Sequence, residues 1–245
     1  MLAEAIRFEW RRVLRVFPVV FFALAFPMMM LVIFGSVAGN EPTDFFDGLG
    51  TVDVTVPAYM GLVIAVTGLT SFPLTMAEYR DKGVLRRLLV TPASPMTLLV
   101  AQLVVNVMLT VVGLVLLVLV GAVFFDLHMA ASWAAFVPLL LLVLVSTFSI
   151  GFLIAAWAPN ERAATSVAML VYFPMIFLSG STFPVEMLPD SVLTVTKVLP
   201  LTWGVDLLQG AWIEGATVNW ALGIAILAGT TVVCSLLSVL FFRWD

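Results

Sequence analysis

Residue types able to do chemistry are few in this chain, and their spacing does not combine them into a reactive centre. The one histidine, His128, falls in a short connection near Trp133, and the one cysteine, Cys234, lies inside a long apolar run. A His-dependent nucleophile pair, a thiolate metal site and a disulfide framework therefore all lack parts. Cys234 reads as packing and His128 as an interfacial side chain. No Gly-x-x-x-x-Gly-Lys-Ser/Thr loop is present to cradle phosphates. Within the apolar runs the polar residues are uncharged: Thr67, Thr70 and Ser71, then Gln102, Asn106 and Thr110, then Ser146, Thr147 and Ser149. Gln102 and Asn106 are one helical turn apart and share a face, where they could touch a ligand or hydrogen-bond between helices. No acid or base sits at membrane depth, so a proton or sodium relay has nothing to run on. The paired acids, Ser-base pair or metal triad of an intramembrane enzyme are missing as well.

The elements that carry these residues follow from composition. Of 245 residues 62% are apolar and 11% charged, too little polar surface to face water on all sides. Uninterrupted by Asp, Glu, Lys or Arg are the runs 16 to 40, 54 to 77, 88 to 125, 127 to 160, 163 to 185 and 215 to 242. Each exceeds the roughly 20 residues that cross about 30 Å of hydrocarbon. The expected fold is an all-α membrane protein, one domain over 1 to 245, with six transmembrane helices at 18–38, 57–77, 97–125, 133–157, 163–180 and 219–242.

Basic residues orient it. Arg7, Arg11, Arg12 and Arg15 precede the first span, Arg80, Lys82, Arg86 and Arg87 separate the second from the third, Arg162 follows the fourth and Arg243 the sixth; only Lys197 has the opposite parity. The positive-inside bias places both termini in the cytoplasm. Nine of the fifteen acids, Glu41, Asp44, Asp47 and Asp53 among them, fall in the outward segments. The acidic pI near 4.9 therefore averages two faces of opposite sign and says little about partners. A cleavable signal is not expected, because the first run is too long for an h-region.

Residues 1–17 read as an amphipathic helix on the inner membrane surface, with Ile6, Trp10, Val13, Leu14 and Phe17 on one stripe and Arg7, Arg11 and Arg15 on another. It serves either as a topology anchor or as a dock for a cytoplasmic partner. Pro27, Pro73, Pro138 and Pro174 predict kinks in spans one, two, four and five. Ala221, Ala225 and Gly229 in span six, and Gly151 and Ala155 in span four, offer small faces for close packing.

The segment from Glu78 to Pro92 is the most informative. Val84, Leu85, Leu88 and Leu89 form an apolar stripe opposite Arg86 and Arg87, Pro92 ends the helix, and Ser94-Pro95 caps the next one. An apolar stripe on the cytoplasmic side must lie on lipid or be buried in a partner protein. The acidic-basic cluster followed by Gly-x-Leu-x-x-Leu-x-x-Thr-Pro resembles the permease subunits of ABC-2 type exporters, in the branch that includes daunorubicin-resistance permeases. In place of that family's usual Glu-Arg-Glu the chain has Tyr79-Arg80-Asp81, with Glu78 one position early. The connection Leu178 to Pro189 and Leu199 to Asp206 is similar to the family's outward segment between spans five and six.

The resemblance implies a coupling segment at 78–93 that inserts into a separate ATP-binding subunit, through Arg80, Gly83, Leu85, Leu88, Thr91 and Pro92, helped by Trp10, Arg11 and Arg12. It implies short re-entrant helices forming an extracellular roof over 181–214, with a gate at Phe183, Pro184, Pro189 and Pro200. It implies a substrate path along Thr67, Thr70, Phe72, Phe173 and Phe177, whose apolar and aromatic character suits a drug-like, amphipathic or lipid-like cargo. ATP and Mg would be bound by the partner ATPase and not by this chain. A second permease, the same or related, would complete the assembly in a bacterial inner membrane, with lipid but no nucleic acid as partner. An ion-gradient-driven transporter and a non-transporting assembly factor are the alternatives.

Overall fold

The computed structural model describes residues 2–43, 46, 48–89, 95–182 and 189–241. They form ten helices: α1 (Leu2–Val13), α2 (Phe17–Ala38), α3 (Thr51–Asp81), α4 (Val84–Leu89), α5 (Pro95–Phe124), α6 (Trp133–Trp157), α7 (Glu161–Leu178), α8 (Asp190–Thr196), α9 (Pro200–Trp212) and α10 (Trp220–Phe241). The only strands among the described residues are two short ones, Pro42–Thr43 and Leu49–Gly50, paired antiparallel. Six helices (α2, α3, α5, α6, α7 and α10) are long and apolar enough to cross a bilayer, and the chain is a multi-pass membrane protein. The end of the bundle that carries Arg12 and Arg80 is called the basic end below, and the end that carries Asp53 the acidic end.

α3 is the central helix. Val52, Val56, Tyr59, Met60, Ile64, Leu69 and Phe72 along its length are all buried, while α2 and α10 run at the periphery. It is longer than its apolar run at both ends. Asn40 starts it early: its Oδ1 accepts from the backbone N–H groups of Val52 (3.0 Å) and Asp53 (3.1 Å), satisfying two orphan donors of the first turn. At the other end Glu78, Arg80 and Asp81 stay helical.

Prolines expected to kink α2 and α3 are accommodated by wider turns. A proline lacks the N–H of an i→i−4 bond and its ring crowds the i−4 carbonyl. In both helices a π-helical segment, Phe21–Ala25 or Val66–Ser71, runs up to a Phe-Pro step, and the Phe26 and Phe72 N–H groups reach back five residues to Phe21 O and Thr67 O. Pro138 and Pro174 lie inside uninterrupted α-helix.

Packing corrects one small-residue reading and supports another. Gly151 of α6 lies directly on the Gly68 carbonyl of the α3 π segment. In α10, by contrast, Ala221, Ala225 and Gly229 do not form the packing face. Gly223 sits against Leu207 and Leu227 enters the core, whereas nothing lies within 4 Å of a Cβ built on Gly229. A helix apolar all round gives no sequence signal for which stripe meets the protein. α1 packs against α5, with Ile6, Trp10 and Val13 turned to the core, but Leu14 and Phe17 are exposed.

Candidate functional site

At the basic end the last two turns of α3 hold α1 through buried polar contacts. Glu9, fully buried, accepts a hydrogen bond from the Tyr79 hydroxyl. The Arg12 guanidinium pairs with Glu78 Oε2, lies 4.7 Å from the centre of the Tyr79 ring and comes within 3.7 Å of Glu9 Oε2. Lys82 Nζ adds an i,i+4 pair to Glu78 Oε1 at 2.5 Å. Burial pushes the Glu9 carboxyl above its ordinary range, against the Tyr79 hydrogen bond and the Arg12 charge, which pull it down. A raised carboxyl keeps its proton longer in the folded state than in the unfolded one. Its favourable contribution is complete below the ordinary 4.5 and is lost as the pH rises through the folded value. The melting midpoint of Glu9→Gln should therefore gain on the wild type as the pH rises above that point. A constant difference across the titration would remove Glu9 as the cause.

These contacts revise two of the sequence-derived docking residues. Arg12, expected at a partner surface, is turned inward on Glu78 and Tyr79. Arg80 donates to Ala158 O and Ala155 O, both at 2.8 Å, and so closes the carbonyl end of α6. Trp10 is half-buried against the core and Arg11 is exposed. Gly83 (φ 65°) makes the turn between α3 and α4, in the left-handed region that suits a residue without Cβ. Leu88 is half-buried in α4, whose backbone includes Leu85, whereas Thr91 and Pro92 lie outside the described residues.

Between α2, α3 and α7 a cleft of about 520 Å³ runs from this polar cluster towards Thr182. Arg12, Glu78 and Glu161 line its basic end. Phe22, Phe26 and Met30 form one wall, Met169, Tyr172, Phe173 and Phe177 another, and Val66, Thr70, Ser71, Leu74 and Thr75 of α3 the back. Phe173 and Phe177 stack, with ring centroids 6.2 Å apart. Three of the five expected path residues, Thr70, Phe173 and Phe177, therefore meet in one cavity. Thr67 and Phe72 do not. Thr67 faces α5, its hydroxyl 2.7 Å from that of Thr110, and Phe72 stacks on Phe152 at 5.5 Å inside the core. Gln102 and Asn106 are buried away from the cleft, Asn106 donating to the Gln102 carbonyl of its own helix. Sequence reasoning missed Phe22, Phe26 and Met30 of span one. Their sequence signal is the Phe-Pro step at Phe26-Pro27, repeated at Phe72-Pro73 and Phe173-Pro174 in the other two helices around the cleft.

At the acidic end Asp53 joins two connections. Its Oδ2 lies 2.8 Å from His128 Nδ1, its Oδ1 accepts from the His128 backbone N–H, and Asn40 Nδ2 reaches both Asp53 Oδ1 and Asp126 O. Trp212 Nε1 donates to His128 O, so α9 is tied to the same knot. His128, whose side chain is otherwise exposed, is thus a latch between connections. α9 packs against α3 and α6, and Gln209 Nε2 bonds Val54 O. Pro200 opens α9 and Pro189 precedes α8; Phe183 and Pro184 fall outside the described residues. No cluster of metal-ligating side chains occurs among the described residues.

Comparison with known proteins places this architecture. The chain is 26% identical over 161 residues to the probable multidrug ABC transporter permease YbhS of Escherichia coli (strain K12), covering 65% of this chain and 43% of that protein. It is 32% identical over 106 residues to nodulation protein J of Rhizobium meliloti (strain 1021), covering 43% of this chain and 40% of that one. YbhR of Escherichia coli (strain K12) is 21% identical over 164 residues, 67% of this chain and 45% of its own length. The chain thus spans less than half the length of the curated relatives it matches. The family model for ABC-2 type transporter matches residues 2–213, and the chain belongs to that family.

Proposed function

We propose that the chain is the membrane-spanning permease subunit of an ATP-driven exporter that moves a drug-like, amphipathic or lipid-like cargo out of the cell. ATP and Mg are bound and hydrolysed by a separate subunit, which engages the protein at α4. A second permease, identical or related, completes the assembly in a bacterial inner membrane with both termini in the cytoplasm. The basic-residue bias supports that orientation, and the multidrug designation of YbhS supports the cargo class.

The cleft carries this reading. Among the described residues its walls are aromatic and aliphatic, its hydroxyls are uncharged, and its charges sit at the basic end, so it matches a molecule with an apolar body and a polar head. A sugar or an inorganic ion would find too few polar partners there to replace its water.

An ATPase bearing a phosphate-binding loop should co-purify with the tagged chain in mild detergent. In the isolated complex, Phe26→Ala combined with Phe173→Ala should raise the half-saturating cargo concentration about a hundredfold, because each lost aromatic removes roughly 1.5 kcal/mol or more of apolar contact. Thr67→Ser, which lies outside the cleft, should leave it unchanged. Equal effects of both variants would count against the cleft as the path.

A further inference from the structure

The polar cluster at the base of α3 joins elements on both sides of the cleft. On one side the Tyr79 hydroxyl and Glu78 carboxylate hold Glu9 and Arg12 of α1. On the other, Arg80 grips the last carbonyls of α6, at Ala155 and Ala158. Immediately beyond them Asn160 caps α7, its Oδ1 accepting from Ala163 N at 2.9 Å. α4 is joined to the same turn: Lys82 N–H bonds Glu78 O, Gly83 N–H bonds Arg80 O and Arg87 N–H bonds Gly83 O, at 2.9, 2.9 and 3.1 Å. A displacement of α4 therefore acts first on the turn of α3 that holds Glu78, Tyr79 and Arg80.

Separating α1 from that turn would be costly. Glu9 is fully buried, and Arg12 has Glu78, Glu9 and the Tyr79 ring around it. Pulling the helices apart would strand a buried carboxylate and a half-buried guanidinium without partners, which is among the most destabilising single events in a protein interior. The packing of Ile6, Trp10 and Val13 acts in the same direction. Arg12, Val13 and Glu78 also form the basic end of the cleft, so the elements so joined are themselves its mouth.

We propose that Glu9, Arg12, Glu78 and Tyr79 form a positioning clamp that makes α1 move as one body with the base of α3, so that a push on α4 sets the width of the cleft mouth against α7. The clamp rests on the reading of α4 as the ATPase contact, but its mechanical half does not. These residues position the mouth, and none is assigned a chemical step. Arg12, which the family resemblance implies for partner docking, acts here from inside the protein.

Spin-label distances separate the two halves. In a Cys234→Ala background, one pair of labels at Arg7→Cys and Asp81→Cys reports α1 against α3, and a second at Arg7→Cys and Ser166→Cys reports α1 against α7. In the chain alone the first pair should give one narrow distance, which broadens in Tyr79→Phe combined with Arg12→Gln and stays narrow in Glu9→Gln, where the amide oxygen still accepts from Tyr79. A first-pair distance as narrow in the double variant as in the parent overturns the clamp, whether or not an ATPase binds. In the complex, the second-pair distance should change on ATP binding in the parent and not in the double variant. In Tyr79→Phe alone, whose side chain does not line the cleft, cargo moved per ATP should fall about fivefold while hydrolysis changes less than about twofold, a coupling loss within the usual range. Parallel loss of both would mean that the cluster only supports folding. A complex with no ATP-dependent export in the parent would reject the functional reading, while the first-pair distances would still decide the clamp.

Discussion

Gly151→Val should markedly destabilise the closed bundle. A Cβ at Gly151 would stand 1.9 Å from the Gly68 carbonyl oxygen and 3.1 Å from its carbon, with Pro73 Cδ at 3.5 Å. The obstacle is backbone and cannot swing aside like a side chain. Gly68 is itself packed closely on α6, since a Cβ built on it would stand 3.0 Å from Phe148 Cδ2 and 3.2 Å from Thr147 Cγ2. The wide π turn that accommodates Pro73 presents this carbonyl to α6, so the missing Cβ at 151 is part of how the proline is tolerated. Forcing α3 and α6 apart costs about 3 kcal/mol or more, a fall of roughly 10 °C in melting midpoint for a chain of this size. Gly151→Ala should already show most of it. Gly229→Ala, with nothing within 4 Å of the new methyl, should hold or raise the midpoint, because alanine is the better helix former. Equal stability of the two alanine variants would contradict the close crossing.

The second large effect belongs to α4. Leu85→Asp together with Leu88→Asp places two carboxylates on the apolar stripe of a six-residue helix at the basic end of the bundle. If that stripe is buried in an ATPase cleft, each charge must be taken out of water without a partner, at a cost of several kcal/mol. The ATPase should then fail to co-purify, its affinity reduced by about a hundredfold or more. Leu88→Ala should weaken association by only about tenfold, the loss of apolar area alone. The permease should keep its melting behaviour in both cases. Undiminished association of the double aspartate variant would remove α4 from the interface.

How much of this is legible in the sequence depends on what signal each feature leaves. The six spans show because lipid excludes charge, so Arg15, Glu41, Glu161 and their like mark the limits of each apolar run. The extension of α3 to Asp81 does not show, because Glu78 and Arg80 look like loop charges until Arg12 and the Ala155 and Ala158 carbonyls are seen to satisfy them. Its early start depends on Asn40, more than ten residues upstream of the N–H groups it caps, whereas a local cap signal extends only three or four.

The candidate site is half legible for a similar reason. Phe173, Phe177 and Thr70 follow from the family resemblance, but Thr67 and Phe72 sit on other faces of a helix that is apolar nearly all round. Hydrophobic periodicity vanishes in such a helix, and with it the means to choose a face. The family resemblance puts Arg12 at a partner surface, as arginines on a surface helix usually solvate. One buried acid on the same helix, Glu9, reverses it, and that acid is the available clue.

Whether ATP drives cargo through this protein is the central question, and one measurement addresses it directly. The complex purified through the tagged chain is reconstituted into liposomes, and uptake of a fluorescent lipid analogue is followed with the ATPase face outward. Uptake should start on addition of ATP and Mg, stop with a non-hydrolysable analogue, and disappear in the Leu85→Asp, Leu88→Asp variant. Uptake that proceeds without ATP on an imposed proton or sodium gradient, or that the variant leaves intact, would contradict the account.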